Sequence, residues 1–330
     1  GLDLELFRGD LTLNFDVFKE RREDIFIQRQ SIPATAGINV VVTGNLGIVE
    51  NKGFEVNADF NKRFGDFIWG VKGNLSYNKN KIIEDDTPSK PYPWMESRGT
   101  SVGQRLGYIC DGFYTDDDIN NPDVAKTVEP VMAGDLKYRD LNGDNVIDDY
   151  DKMPIGFCDI PEITYGFGLT AQWRSWDINA FFQGIAHCTF YIGGTAMRPF
   201  STGNINQSAI NADIYDHVWK TTNTPEQNLA AYYPRLSEAG GEGSTNNNQT
   251  STLTMRDGRF LRLKNFEIGY TIPKSILEKT FIKSTRIYVS GSNLLTFSKF
   301  KLWDPEMGGG SGMSYPTQRT FNVGFQMTIN

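Results

Sequence analysis

The sequence contains no long hydrophobic run. Hydrophobic residues make up 39% of the 330 residues, and the mean hydropathy is -0.42. No segment therefore approaches the roughly 18 consecutive apolar residues that identify a membrane-spanning helix. This absence leaves open a membrane protein built of β-strands, because such a strand needs an apolar side chain only at every second position.

Basic stripes, cysteine and histidine are also scarce. The net charge is -7 without a run of Lys or Arg, so nucleic acid is not an expected partner. Cys110, Cys158 and Cys188 are odd in number and lack a metal-type spacing. Cys110 and Cys158 fall in one long loop, where they either pair in an oxidising compartment or remain free thiols. His187 and His217 have no partner spacing, and no nucleophile elbow, Walker loop or zinc motif occurs, so no enzyme activity is predicted.

Aromatic residues are abundant, at 13%, and the clearest pattern is the alternation in the last segment, 319–330. Its apolar positions are Phe321, Val323, Phe325, Met327 and Ile329, and small or polar residues stand between them. Since successive side chains of a strand point to opposite faces, this segment has an apolar face and a polar face. We call the two the dry face and the wet face, and we use the same names for the corresponding faces of the other strands.

The same alternation recurs along the chain and predicts about nine strands, with helical pieces only at 209–220 and 274–279. The connections between strands are alternately short and long. The short ones lie at 8–10, 64–66, 174–175 and 273–284, and the main long ones at 83–161 and 189–256. This alternation is typical of an outer-membrane barrel, which has short periplasmic turns and long extracellular loops.

The composition of the wet face favours a membrane barrel over a large soluble β-protein. It carries charged residues that the water-free core of a soluble protein would not tolerate unpaired. They are Glu55, Asp59, Lys72, Arg174 and Asp177. Aromatic residues lie at both ends of the apolar rows, as the interfacial girdles of a barrel require. The predicted fold class is therefore an antiparallel transmembrane β-barrel. Nine strands are an odd number that leaves two bare edges, so the chain is expected to form part of a larger barrel.

Several stretches resemble the C-terminal barrel portion of SusC/RagA-family TonB-dependent outer-membrane transporters. They are 45–55, 134–144, 257–265, 286–297 and 303–306. The resemblance implies a barrel of about 22 strands with a plug in its lumen. It also implies uptake of oligosaccharides (glycans) or peptides, driven through TonB, with a SusD-like surface lipoprotein as a lid. On this interpretation residues 1–330 are one part of the barrel in the outer membrane of a Gram-negative bacterium, without the plug or the TonB box.

Two further features qualify this resemblance. The chain starts at Gly1 without an initiator Met or a secretion signal, as a fragment or a processed product would. It ends in Ile329–Asn330, where an aromatic residue is common in the family.

A passive porin-like channel and a surface structural or adhesion β-protein remain the alternative functions. The lipid bilayer and the remaining strands of the barrel are the other expected partners.

One stretch has the spacing of a calcium-binding loop. The oxygen donors at positions 1, 3, 5, 7, 9 and 12 would be Asp140, Asn142, Asp144, the carbonyl of Val146, Asp148 and Asp151. Asn145 replaces the usual Gly at position 6, where Asn can still adopt a left-handed conformation. The alternative is an acidic, solvated turn without an ion. If Ca²⁺ binds, we expect it to stiffen an extracellular loop.

The long loops are rich in aromatic side chains, which either pack the loops together or contact sugar rings and the lid protein. They are Tyr92, Trp94, Phe113, Tyr114, Tyr191, Phe200, Tyr215, Trp219, Tyr232, Tyr233 and Trp303. The sequence does not distinguish these roles, and it does not identify the substrate.

Overall fold

The computed structural model describes residues 1–194, 197, 200, 210, 212–238, 243–278 and 280–329. Its main element is one nine-stranded antiparallel sheet whose strands follow each other in chain order. These strands are β1 (Leu2–Leu6), β2 (Leu11–Gln28), β3 (Thr43–Phe64), β4 (Phe67–Glu84), β11 (Ile163–Trp173), β12 (Trp176–Ala186), β15 (Phe260–Thr271), β16 (Ile282–Ser298) and β17 (Thr320–Ile329). The predicted number of strands in the sheet is confirmed.

The register of the sheet matches apolar residues with apolar residues. Phe15 of β2 lies opposite Val56 of β3, Val56 lies opposite Leu75 of β4, and Leu75 lies opposite Tyr165 of β11. Because side chains alternate with a period of two, a slip of one residue would move a whole apolar row to the other face. The sequence alternation therefore fixes the faces of these strands and excludes a one-residue slip in their register.

The ends of the sheet differ as the sequence predicted. At one end the turns are tight: Trp173 pairs with Trp176, so only Arg174 and Ser175 close the β11–β12 turn. Arg174 has a φ of 52° there, and Gly65 has a φ of 58° in the equivalent β3–β4 turn. Positive φ values at such positions match the twist of two-residue hairpins. At the other end the strands are joined by the long inserts.

The long inserts contain short strands and helices. The strands are β5 (Leu106–Gly107), β6 (Cys110–Phe113), β7 (Lys126–Thr127), β8 (Leu136–Tyr138), β9 (Val146–Ile147), β10 (Met153–Pro154), β13 (Thr189–Tyr191) and β14 (Met255–Asp257). The α-helices, including one in the β15–β16 connection, are α1 (Asp116–Asn120), α2 (Ala212–His217), α3 (Pro225–Leu229), α4 (Ser244–Asn247) and α5 (Lys274–Leu277). Short 3₁₀ helices span Phe7–Gly9, Ala34–Ala36, Pro93–Met95, Asp149–Asp151 and Pro305–Met307.

The two predicted helical pieces correspond to α2 and α5, whereas α1, α3 and α4 were not predicted. Each of these three helices has only four or five residues, too few for an apolar periodicity to be visible. A local signal did exist for two of them. Thr115 and Asp118 form a capping box at α1, and Thr224 and Gln227 form one at α3. In the described part of the chain, no helix has the length and apolar character needed to cross a membrane.

The hydrophobic core lies mainly in the inserts and not in the sheet. One cluster includes Phe190, Ile214 and Phe300, and a second includes Leu136 and Tyr138. Dry-face residues of the strands are instead exposed in large part, for example at the edge strand β17. This distribution is the reverse of a soluble sandwich, in which the apolar rows of the strands would be buried between two sheets.

The three cysteines are free thiols, so the pairing considered for Cys110 and Cys158 does not occur in this structure. Their local contacts explain the result. The Cys110 sulfur donates to the carbonyl of Gly112 at 3.5 Å, whereas the buried Cys158 sulfur donates to the carbonyl of Val102 at 3.1 Å. The two thiols are thus held by different segments of the same insert.

Candidate functional site

The acidic loop lies between β8 and β10 and is closed by its own side chains. The Asp140 carboxylate accepts hydrogen bonds from the backbone N–H of Gly143 at 2.6 Å and of Asn145 at 2.8 Å. Asn145 has a φ of 67°, as expected for an Asn at the position where calcium loops need a left-handed residue. The sharp turn of a calcium-loop sequence is therefore present.

The middle of this loop is organised by two neighbouring donors of the predicted set. Asn142 Oδ1 accepts from the N–H of Asp144 at 3.1 Å, and Asn142 Nδ2 donates to Asp144 Oδ2 at 2.8 Å. Asp144 Oδ1 in turn accepts from the N–H of Val146 at 2.9 Å. Asp144 and Val146 are exposed, so their oxygens remain accessible from solvent.

The end of the loop is fixed by a buried carboxylate. Asp151 is fully buried, and its oxygens accept from the N–H of Leu141 at 2.7 Å and of Asp148 at 2.9 Å. Asp148 accepts from the N–H of Tyr150 at 2.7 Å. Burial raises the pKa of Tyr108, and the nearby acidic side chains add to this shift. The loop is therefore a compact unit of clustered negative charge.

The donor set suits a hard cation, because it consists of carboxylate, amide and carbonyl oxygens and each carboxylate oxygen has a second lone pair. In the described residues, however, no group of three or more His, Cys, Asp or Glu side chains is arranged to hold a metal. The hydrogen bonds within the loop explain why these side chains do not form such a group, because the carboxylates point at backbone N–H groups. Calcium binding remains a prediction.

The wet face of the sheet carries amide side chains across three neighbouring strands. Asn14 lies opposite Asn57, and Asn57 lies opposite Asn74. They line a shallow depression together with Lys72 and Phe181, where Lys72 Nζ lies 5.6 Å from the centroid of the Phe181 ring. This surface can hydrogen-bond to water or to a polar solute, and a lipid tail would not satisfy it.

A charged cluster on three strands shows how the wet face accommodates its acidic residues. Arg286 of β16 donates to Asp177 of β12 through Nε at 3.0 Å and through Nη2 at 2.5 Å. Nη2 also donates to Glu267 of β15 at 2.6 Å. Gly269 provides the space, because a Cβ there would lie 2.4 Å from Nη2. Asp177, which the sequence predicted to lie on the wet face, is thus paired with a cation on another strand.

The dry face is apolar and accessible, most clearly in β17. Phe321 is 74% exposed, Val323 80% and Phe325 73%. β17 and β1 are the two edges of the sheet, and each pairs with a single strand in the part of the chain that the structure describes. The residue after β17, Asn330, is outside the described residues. A row of exposed apolar side chains on an edge strand requires a further partner to cover it.

Aromatic side chains gather at the tight-turn end of the sheet. Phe64 and Phe67 flank the β3–β4 turn, and Trp173 and Trp176 flank the β11–β12 turn. The Trp176 ring lies 4.8 Å from that of Tyr270 on the next strand. These rings form a belt at one level of the sheet, as in the interfacial girdle of a membrane barrel.

A buried ion pair joins the two main inserts. Asp135, which is fully buried, lies 2.7 Å from Arg235 Nε and accepts from Arg235 Nη2 at 3.1 Å. It also accepts from Asn247 Nδ2 at 2.7 Å and from the N–H of Met132 at 2.8 Å. Gly243 packs against this carboxylate, and a Cβ there would lie 2.2 Å from Oδ2. The carboxylate therefore connects segment 132–136 of the first insert with Arg235 and Asn247 of the second.

A second buried cation holds the last long loop. Arg262 of β15 is 1% exposed, and it pairs with Asp304 and, at 3.4 Å, with Glu306. Glu306 also lies 3.4 Å from Lys264. Sequence reasoning missed this contact and the Asp135–Arg235 pair. Arg262 and Asp304 do fall in the motifs 257–265 and 303–306, and Asp135 falls in 134–144, but a motif does not show which residues contact each other.

Most of the loop aromatics that can be assigned serve packing. Tyr114, Tyr191 and Tyr233 are buried, and their hydroxyl groups donate to Ala125 O, Ile155 O and Asp213 Oδ2, each at 2.8 Å. Tyr92 and Trp94 stack on each other with centroids 4.7 Å apart. Tyr215 differs, since it is 60% exposed and is therefore available to a partner or ligand.

The chain is similar to known proteins over almost its whole length. It is 30% identical to TonB-dependent receptor P3 of Formosa agariphila, covering 99% of this chain and 33% of the relative. It is 24% identical to TonB-dependent receptor SusC of Bacteroides thetaiotaomicron, covering 99% and 31%. The chain thus spans about one third of the length of these relatives. No protein-family model matches it.

Solved structures show the same fold. The structure of the RagAB peptide transporter matches with a TM-score of 0.73 at 20% identity, covering 97% of this chain and 33% of that chain. The RagAB peptide importer in its open-open state matches with a TM-score of 0.72 at 19% identity. With the nine-stranded sheet, these matches confirm the predicted fold class, an antiparallel β-sheet that forms part of a barrel.

Proposed function

We propose that this chain, which fits the C-terminal barrel portion of a SusC/RagA-type TonB-dependent receptor, forms part of the wall of an active nutrient importer in the outer membrane. The observation that carries the proposal is the likeness to TonB-dependent receptors across 99% of the chain. The two faces of the sheet support it. An exposed apolar face suits lipid, and an amide-rich face with Asn57 and Asn74 suits a hydrated lumen.

We further propose that residues 83–161 and 189–256 are extracellular loops of this barrel, and that the plug belongs to another part of the same protein. β3 has 22 residues, a length of roughly 70 Å, which exceeds an apolar band of about 25 Å even when the strand is tilted. The long loops would then stand clear of the membrane. In that position they can carry a SusD-like lipoprotein lid, and the substrate would be an oligosaccharide or a peptide.

Uptake by cells that express the full-length receptor tests the import proposal. Cells are given fluorescent oligosaccharides or fluorescent peptides, and uptake is compared with and without a functional TonB. We expect uptake of one class to require both the receptor and TonB. Uptake that continues unchanged without TonB would support the passive porin-like alternative. If neither class enters through the receptor, the import proposal for these substrates is wrong.

The assignment of the dry face to lipid predicts an asymmetric effect of arginine. Phe167 lies mid-strand in β11, on the dry face, with its ring 4.8 Å from Phe182. Phe167→Arg should lower the free energy of unfolding in lipid vesicles by roughly 2–4 kcal/mol if the site lies near the bilayer midplane. Thr170→Arg, on the wet face of the same strand, is the matched control and should have a small effect. Urea titrations of both variants that give equal losses would contradict the assignment.

We propose that Ca²⁺ binds the acidic loop and stiffens it, because its oxygen donors have calcium-loop spacing and Asn145 has the required positive φ. Excess EDTA should speed proteolysis within 140–151 and leave the barrel intact, as judged by limited digestion and mass spectrometry. Asp140→Ala should abolish the difference made by EDTA. Asp149→Ala, an exposed acid at position 10, should retain it. Identical digestion with and without EDTA would count against the site.

A further inference from the structure

A small pocket lies among the outer loops, apart from both the acidic loop and the wet face of the sheet. Its walls include Ile192, Ile214, Tyr232, Leu236, Leu253 and Arg256. The space open to the centres of water-sized molecules is about 80 Å³, enough for roughly five or more waters. The pocket is therefore large enough for one end group of a ligand and too small for an oligomer.

The pocket wall contains two guanidinium groups with different surroundings. Arg235 is neutralised by the buried carboxylate of Asp135. Arg256 is half-buried, and its Nη1 donates to the carbonyls of Leu253 at 2.5 Å and Met255 at 2.9 Å. These two bonds fix the orientation of the guanidinium. Within the described ranges, no Asp or Glu lies within salt-bridge distance of Arg256. The acidic residues of this region have other partners: Asp213 lies by His217, Asp135 by Arg235 and Asp257 by Arg259.

The carboxylate of Asp213 lies behind two tyrosines of the pocket wall and is engaged by their hydroxyl groups. Asp213 accepts the hydroxyl of Tyr232 at 2.7 Å and that of Tyr233 at 2.8 Å. Burial and this carboxylate raise the pKa of Tyr232 to about 12, and the charge of Arg256 opposes the rise. Tyr232 is therefore neutral at physiological pH. The pocket combines neutral, largely apolar walls with one cation, Arg256, whose Nη1 is engaged by backbone carbonyls. A guanidinium carries further donors on Nε and Nη2.

We propose that this pocket binds a carboxylate-bearing end group, with the carboxylate on Arg256 and its apolar part against Ile214 and Leu236. A guanidinium binds a carboxylate through two parallel hydrogen bonds, and such charge-assisted bonds strengthen in a site that partly excludes water. The chemistry is shared by the C-terminal residue of a peptide and by a uronic acid at the end of a glycan. The inference concerns binding alone and does not depend on the import proposal.

Isothermal titration of the purified full-length receptor in detergent tests the proposal without transport. The peptide-type probes are N-acetyl-leucine and N-acetyl-leucinamide, and the sugar-type probes are glucuronate and glucose. In at least one pair we expect the acid to bind about tenfold or more tightly than its neutral partner, because the neutral partner lacks the charge-assisted bonds. The pair that shows the difference identifies the source. Equal binding within both pairs, or no binding of either acid at millimolar concentration, would overturn the proposal.

Variants then locate the binding site. Arg256→Gln should weaken binding of the acid about tenfold or more and should leave the neutral probe unchanged. Arg259→Gln is the matched control, because Arg259 is exposed and paired with Asp257, and it should bind like the wild type. Acid binding that survives Arg256→Gln would refute the assignment. If that variant fails to fold, as judged by its melting temperature, the acid–neutral comparison on the wild type still decides the ligand chemistry. The site is then decided by labelling the wild type with the arginine-selective reagent phenylglyoxal: the acid should protect Arg256 from labelling, and unchanged labelling of Arg256 would refute the assignment.

Discussion

Replacing Arg262 with alanine is expected to lower the free energy that holds the last long loop to the sheet by about 3–5 kcal/mol. Arg262 is 1% exposed and pairs with Asp304 and Glu306. Its removal leaves Asp304 near a buried position without its cation and leaves Glu306 with Lys264 alone. Leaving such a charge uncompensated destabilises the protein by more than the ion pair stabilises it, because no attraction then offsets the desolvation of the remaining charged group.

Hydrogen exchange of the full-length receptor measures this effect. Amides of the loop 299–319 should lose protection by roughly a hundredfold or more in Arg262→Ala, whereas amides at the tight-turn end of the sheet should not change. Lys264→Ala removes the more exposed partner of Glu306 and should cost about 0–1 kcal/mol. A double replacement of Arg262 and Asp304 by alanine should be less harmful than the sum of the single changes. An Arg262→Ala protein that exchanges like Lys264→Ala would show that the pair does not hold the loop.

The second large effect is expected at Asp135, where alanine should cost about 3–5 kcal/mol in the stability of the outer loops. Asp135 is fully buried and receives hydrogen bonds from Arg235, Asn247 and the N–H of Met132. Alanine removes the acceptor of all these hydrogen bonds at once, including the carboxylate that pairs with the largely buried Arg235 guanidinium. Asp135→Asn should be milder than alanine, since the amide oxygen still accepts hydrogen bonds.

The loss should appear in two places that are distant in sequence. Asn247 and Asp135 are 112 residues apart, so segments 132–136 and 243–247 should both become more accessible to exchange and to protease. Asp111→Ala is the control, because the Asp111–Arg139 pair is largely exposed and exposed pairs contribute little. Loosening confined to 132–136 would mean that the carboxylate does not join the two inserts.

The sheet was predictable because the information for a strand is local. The alternation from Phe321 to Ile329 assigns each side chain to a face without reference to any other segment. Short turns such as Arg174–Ser175 are also recognisable from the sequence, because two residues between two alternating runs predict a hairpin. The nine strands of the sheet, their antiparallel order and the separation of tight turns from long inserts followed from such patterns.

The interior of the loops was much less predictable. The unpredicted helices α1, α3 and α4 are too short for a periodic signal, and only the capping boxes of α1 and α3 identify two of them. The positive φ of Asn145 was expected from the motif. The full burial of Asp151 was not, because burial depends on neighbours contributed by the surrounding insert. The same reason explains why the cysteine spacing alone could not decide the state of Cys110 and Cys158.

The sequence by itself thus determined the two faces of the sheet, the likeness to the C-terminal part of TonB-dependent receptors and the calcium-loop spacing at 140–151. Only the tertiary structure decided which charges of the loops are buried and paired, that Asp135 joins two inserts, and that Arg256 faces a pocket without an acidic partner among the described residues. The physical reason is the range of the interactions. The period of a strand is a property of consecutive residues, whereas an ion pair in a loop core is selected by packing between segments that are many tens of residues apart.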